Sequence, residues 1–581
     1  MKSVWFSSEV NCDMLLSMKK NALLMSLDRY FGVENGPCAA LSPRGLVSAL
    51  PLAAMLLLIF LSLHRTVFAS EKNPGEFSVP EQGGSIVMGS IGEPSNLIPY
   101  LSSDSASSQV TGLLYTSPLE YDKDFNIIKC AAEEWEVLEG GTFMRFRLKE
   151  GIKWQDGHPL TADDVTFTYR LMTDPKTPTA YAADFLNVKE YRQTGPLSFE
   201  VRYDAPYARA AITWMHPILP KHVLEKENIA STKYSRDPIG AGPFKLKSWE
   251  AGTRITLEAN ELYFKGRPYL DEVIYRIIPD GTTMFLEARA GKLDFIGLSP
   301  QQYLRQTSGP KWDEDWKKYK YLASAYTYLG MNMKSPFFKD KKVRQALSYA
   351  IDRRGIVKGA LLGMGEPSFG PYKPGTWAYN ADLAPWPYDP AKARELLAEA
   401  GWKPGKDGVL EKDGYPFEFT ILVNQGNDER IKVAVILQQM FRAVGVRTAI
   451  RTVEWAAFLK EFVNTKKFDA LILGWTILDD PDIFDVWHSS AISQNGLNFV
   501  SFRNSEVDAL LEKGRASADK AERKRIYDRF QEILHEEQPY LFLYVPYSLP
   551  MVQSRFKGIK PAPAGITYNF DRWWVPRALQ H

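Results

Sequence analysis

Between residues 417 and 474 the hydrophobic period of the chain alternates between two and 3.6. Residues 417–423 read as a strand, 431–444 as a helix ended by Gly445, and 446–453 as a strand. Residues 455–465 then read as a helix and 468–474 as a strand. Strands separated by helices join through crossovers, so this stretch predicts a parallel sheet and an α/β fold class. Ligands in such sheets bind just beyond the carboxyl ends of the strands. Here those ends are Asn424-Gln425-Gly426-Asn427 and Gly474-Trp475-Thr476.

The flanking sequence agrees with that reading. Val343, Ala346, Leu347, Ala350 and Ile351 form a helical stripe after Asp340. Asp389-Pro390 reads as an N-cap followed by an N1 proline, and Gly401 as the residue past the helix end. The first half is different. Residues 142–148, 197–203 and 254–260 alternate with a period of two, which predicts half-buried antiparallel strands. Thr161 with Asp164 three residues on reads as a helix start.

Residues 45–63 form a 19-residue run without charge. Arg44 precedes it and Val67-Phe68-Ala69 follows, the order of a secretory signal cut after Ala69. An uncleaved anchor is the alternative, because such a run can span a bilayer. The 43 residues ahead of Arg44 exceed an ordinary n-region, which leaves Met18 or Met25 as other starts. Past Ala69 a single cysteine remains, Cys130, so no internal disulfide and no lipid-bearing cysteine is expected. A soluble exported chain without a lipid anchor suggests a periplasm. Residues 1–69 carry six of the 71 basic and four of the 69 acidic residues, which leaves the remainder neutral. That balance argues against a nucleic-acid partner.

Six histidines past Ala69 are scattered and no HExxH occurs, so neither a metal nor a cofactor is expected. No GxSxG or P-loop is present, and no catalytic residue is assigned. Asp479, Asp480, Asp482 and Asp485 follow Trp475. They read as solvated acids at a helix start, as calcium ligands, as an acid/base pair, or as a partner for a ligand ammonium. Trp455 and Trp475 read as core residues or as walls of a cleft.

An ordered series of motifs then resembles the family 5 extracellular solute-binding proteins, the dipeptide and oligopeptide receptors of ABC importers. It begins with Lys153-Trp-Gln-Asp-Gly-His-Pro-Leu-Thr-Ala-Asp-Asp-Val165. Gly240-Ala-Gly-Pro-Phe244, Asn260-Glu-Leu-Tyr-Phe-Lys-Gly-Arg-Pro268 and Val343-Arg-Gln-Ala-Leu347 follow. Tyr388-Asp-Pro-Ala-Lys-Ala-Arg-Glu-Leu-Leu397, Glu454-Trp455, Gly474-Trp475, Asn498 and Asp508 complete it.

The resemblance implies a two-lobed, three-domain periplasmic binding protein fold with a hinge and an interlobe ligand cleft. Domain I would be discontinuous (80–114, 213–326 and 546–581). Domain II would be inserted (115–212), and domain III would span 327–545. The chain would cross between lobes near Tyr328 and Val545. By the same resemblance a peptide pairs with Gly474-Trp475-Thr476, Asp479 takes its ammonium, and Trp455, Asn424 and Asn498 border the site. In the family's better-known members the acid stands three residues after the tryptophan; here Leu478 stands there and Asp479 follows. Arg430 is a further candidate, against a structural salt bridge at a helix start. The expected partners are a small peptide and inner-membrane permease subunits, and the receptor is expected to act as a monomer. Other small ligands (an oligosaccharide, metal chelate or opine) and an exported carboxylate-dependent hydrolase are the alternatives.

Overall fold

The computed structural model describes residues 79–477, 480–493 and 496–580 of the 581. The apolar run, its cut after Ala69, and Asp479 lie outside them. Val79–His581 forms one compact unit. No helix among the described residues is long and apolar enough to cross a membrane.

Two large mixed sheets organise this unit, one in each lobe. The first runs, edge to edge, Trp316–Lys318, Pro550–Gln553, Phe295–Gly297, Ser85–Ser90, Glu272–Ile277, Arg254–Ala259 and Phe244–Glu250. A separate four-stranded antiparallel sheet holds Ala132–Leu138, Phe143–Leu148, Ser198–Arg202 and Glu190–Gln193. Its alternation follows the sequence: Met144, Phe146 and Leu148 are buried while Arg145 is exposed. Beside it the helix Ala162–Thr173 starts with the capping box expected from Thr161 and Asp164.

The second large sheet carries the strand–helix alternation. Glu418–Asn424 pairs in parallel with Arg447–Val453 and with Ala470–Thr476. Ala325–Met331 and Tyr540–Ser548 extend it antiparallel, which the sequence reading did not anticipate. Both faces of this sheet are covered, as a sheet with crossover helices requires. Leu329, Ile421, Ile472 and Leu541 point into one core; Tyr328, Leu422, Leu471, Leu473 and Tyr540 point into the other.

Tyr328 and Val545 both lie inside this second sheet, on neighbouring strands. The chain passes between the large sheets just outside them, at Tyr319 and Lys320 and again at Leu549. The two passages touch: the Tyr319 amide donates to the Pro550 carbonyl at 2.9 Å, and the Ala323 amide to that of Pro546 at 2.9 Å.

Candidate functional site

The carboxyl ends of the parallel strands meet at a gap. Ala470–Thr476 pairs with Glu418–Asn424 only through Ala470 and Leu471, and beyond that point the two strands diverge. On its other side the strand stays paired to its end, with Trp475 opposite Tyr326 and Gly474 opposite Thr327. One backbone edge of residues 473–476 is therefore left without a ladder partner.

Arg430 stands in this gap. The helix Asp428–Arg442 begins three residues before the position read from its apolar stripe, because Asn427 caps it and accepts from the Arg430 amide at 3.0 Å. The Arg430 guanidinium donates from Nη1 to Asn424 Oδ1 at 3.0 Å. A Cβ on Gly474 would lie 3.0 Å from Arg430 Nη2 and 2.9 Å from the Tyr326 carbonyl oxygen, so glycine at that position leaves room for the guanidinium. Among the described residues no carboxylate forms an ion pair with Arg430. Burial lowers its pKa from the ordinary value, yet an arginine stays charged. The neighbouring carboxyl of Glu429 is pushed up by burial, and its Oε1 has no hydrogen-bond partner among the described residues. A recessed cation without a paired carboxylate among the described residues is suited to an anionic ligand group.

This cation borders a cavity of about 340 Å³ between the lobes. One wall comes from Ile91, Phe285 and Leu298, the other from Thr327, Arg430 and Tyr544. The volume falls in the range of small-molecule sites. The lobes touch at its edge, where a Cβ on Gly426 would meet the Pro279 carbonyl oxygen at 2.0 Å. With φ of +82°, Gly426 also takes a left-handed conformation that suits glycine.

The other expected residues take four different places. Trp455 packs against Gly92 of the opposite lobe, and its buried indole N–H has no partner among the described residues, so it offers a free donor at the lobe interface. Trp475 lies on the sheet face opposite Gly474, stacked on Phe499 at 5.4 Å with its N–H 3.3 Å from Tyr540 Oη. Thr476 is exposed at the strand end. Asn498 is fully buried and satisfied internally: its amide donates to the carbonyls of Trp487, His488 and Phe502 and accepts from the Phe502 amide. It shapes a loop, and the structure does not bring it to Arg430.

The acidic cluster resolves into an arrangement absent from the alternatives weighed on sequence. Asp480 accepts two hydrogen bonds from Arg523 at 2.9 and 3.0 Å, and Asp482 accepts two from Arg515 at 3.0 and 3.2 Å. Asp184 does the same for Arg209, at 2.9 and 2.7 Å. The pairs interlock, with Arg209 3.7 Å from Asp482 and Arg515 3.7 Å from Asp184. These carboxylates are neither solvated nor free for a ligand ammonium. Among the described acids of the cluster, Asp485 departs from the pattern: burial and the nearby Asp184 raise its pKa to about 7. The sequence signal was the presence of Arg209, Arg515 and Arg523 in otherwise packed segments, but their partners are remote in the chain.

Comparison with known proteins places this geometry in a family. The profile of the bacterial extracellular solute-binding proteins, family 5, matches residues 126–495. The oligopeptide-binding protein AppA of Bacillus subtilis (strain 168) is 37% identical over 541 residues, covering 90% of this chain and 97% of that protein. The structure of Bacillus subtilis AppA in complex with a nonapeptide superposes with a TM-score of 0.81 at 36% identity, over 86% of this chain and 100% of that one. NikZ from Campylobacter jejuni, solved with Ni(L-His), superposes at 0.77 with 28% identity, over 84% and 99%. The fold, the interlobe cavity and these matches together show that the chain belongs to the family 5 bacterial extracellular solute-binding proteins.

Proposed function

We propose that this protein is an exported receptor that binds di- and oligopeptides between its lobes and delivers them to the permease of an ABC importer. The observation that carries the reading is Arg430, a recessed cation without an acid partner among the described residues, at the unpaired edge of residues 473–476. A free strand edge suits backbone pairing, which is indifferent to side chains, and the cation suits a peptide carboxylate. The Bacillus subtilis relative is an oligopeptide-binding protein and was solved with a nonapeptide, which supports the same ligand class.

In this reading Gly474, Trp475 and Thr476 offer the strand edge, Asn424 orients Arg430, and the Trp455 indole supplies a donor. Asp479 takes the peptide ammonium, a role that rests on the family resemblance. The receptor acts as a monomer in the periplasm after cleavage behind Ala69. Domains I and II form the lobe of the first sheet, and domain III, which the sheet pairing extends from Tyr321 to Ser548, forms the other.

Mass spectrometry of small molecules released when the natively purified protein is denatured tests the ligand class. Peptides are the expected release. A sugar or a nickel–amino-acid chelate, with no peptide, would overturn the reading.

A further inference from the structure

Asp156, His158 and His222 meet on the surface beside the four-stranded sheet, and none of them borders the interlobe cavity. The turn that carries the first two is tightly defined. Lys153 and Pro159 form a β-bridge, the Trp154 amide donates to the His158 carbonyl at 2.8 Å, and Gly157 takes a φ of +91°. His222 sits in the turn of helix Lys221–Leu224. One buried carboxylate ties the two segments together. Asp164 accepts from the Lys221 amide at 2.9 Å and from the Trp154 indole at 3.4 Å. The three side chains therefore project from backbone that is already fixed, as a pre-organised site requires.

Both imidazoles turn a ring nitrogen to the same carboxylate. His222 Nε2 is 2.7 Å from Asp156 Oδ2, and His158 Nδ1 is 3.5 Å from Asp156 Oδ1. The rings stack at 4.2 Å with 23° between their planes. Two imidazoles and a carboxylate match the donor set of a borderline divalent cation. All three donor atoms lie within 4.8 Å of one another. Tetrahedral zinc with bonds of about 2.0–2.2 Å holds its donors roughly 3.3 Å apart, so adjustments of about 1.5 Å or less would form the site.

We infer that Asp156, His158 and His222 bind a divalent metal ion of the zinc class, with water completing the coordination. Two histidines 64 residues apart form no sequence motif, which is why the sequence reading expected no metal.

The test is isothermal titration of zinc chloride into the protein as its host exports it, after chelator stripping, for wild type, His158→Ala and His222→Ala. One zinc per chain is expected in the wild type, with affinity falling about tenfold or more in each variant. X-ray absorption should show two imidazole nitrogens and a carboxylate oxygen. A saturating peptide should leave the zinc in place, since the site lies outside the cavity. His158 is 61% exposed at its side chain, so His158→Ala should keep the metal-free melting temperature and decides the matter if His222→Ala folds poorly. No zinc uptake by the wild type, uptake unchanged in His158→Ala, or displacement by peptide would each overturn the inference.

Discussion

At the scale of single residues, the proposed function rests on a cation recessed from water without a paired acid among the described residues. Arg430 has a neutral amide for company, whereas Arg515 and Arg523 are matched by carboxylates. That contrast was not legible in the sequence. Each arginine lies in an amphipathic stretch, and only the fold shows which one lacks an acid partner. Gly474 and Asn424 were legible, because strand ends follow from a local period. Asp485 gives a pH prediction. Its folded pKa of about 7 lies above that of an unfolded aspartate, so the folded state binds more protons between about pH 4 and 7. Stability linked to this group is present below about pH 4 and is lost as pH rises through 7. Asp184 and Asp482 push in that direction, while Arg515 and Arg209 oppose them. Asp485→Asn should raise the melting temperature at pH 7.5 by several times more than at pH 4.5. Equal shifts at both pH values in thermal melts would refute the assignment.

At the scale of elements, the interlocked pairs join three parts of the chain. Asp184 and Arg209 come from residues 182–209, Asp480 and Asp482 from the loop after the strand Ala470–Thr476, and Arg515 and Arg523 from Ser505–Ala516 and Lys520–Glu537. The Ala208 amide also donates to the Arg515 carbonyl at 2.8 Å. Breaking one member of a buried pair leaves a stranded charge and costs roughly 3–5 kcal/mol. Arg515→Met should therefore destabilise by about that amount in urea unfolding, and adding Asp482→Leu should restore much of it. A loss below about 1 kcal/mol would show that the pairs contribute little. The helices Ala162–Thr173, Lys341–Tyr349, Pro390–Glu399 and Asp428–Arg442 were legible from their caps or stripes, whereas Ser505–Ala516 and Lys520–Glu537 were not read from the sequence. The charge pairing was not legible, because ion pairs join segments far apart in the chain and leave no period to read.

At the scale of the molecule, the parallel strands and their crossover helices were evident, as was the mixed character of the first half. The antiparallel strands Ala325–Met331 and Tyr540–Ser548 were not, since they pair with each other across more than two hundred residues. They matter most, because the two passages between sheets run beside them. A receptor whose lobes close over a ligand is stabilised by RT ln(1 + [L]/Kd), about 2.7 kcal/mol at a hundredfold excess over Kd. Its melting temperature should rise with a peptide mixture and stay constant with sugars. The reverse pattern would favour the oligosaccharide alternative. In the proposed function Arg430 holds a peptide carboxylate between the lobes. Calorimetric titration of a free-carboxylate peptide and its C-terminally amidated form against wild type and Arg430→Met tests it most directly. Arg430→Met should lose about 2 kcal/mol with the free peptide, near thirtyfold in affinity, and should no longer distinguish the two forms. Equal affinities of the wild type for both peptides, or an Arg430→Met variant that binds the free peptide as tightly as the wild type, would rule out that role for Arg430.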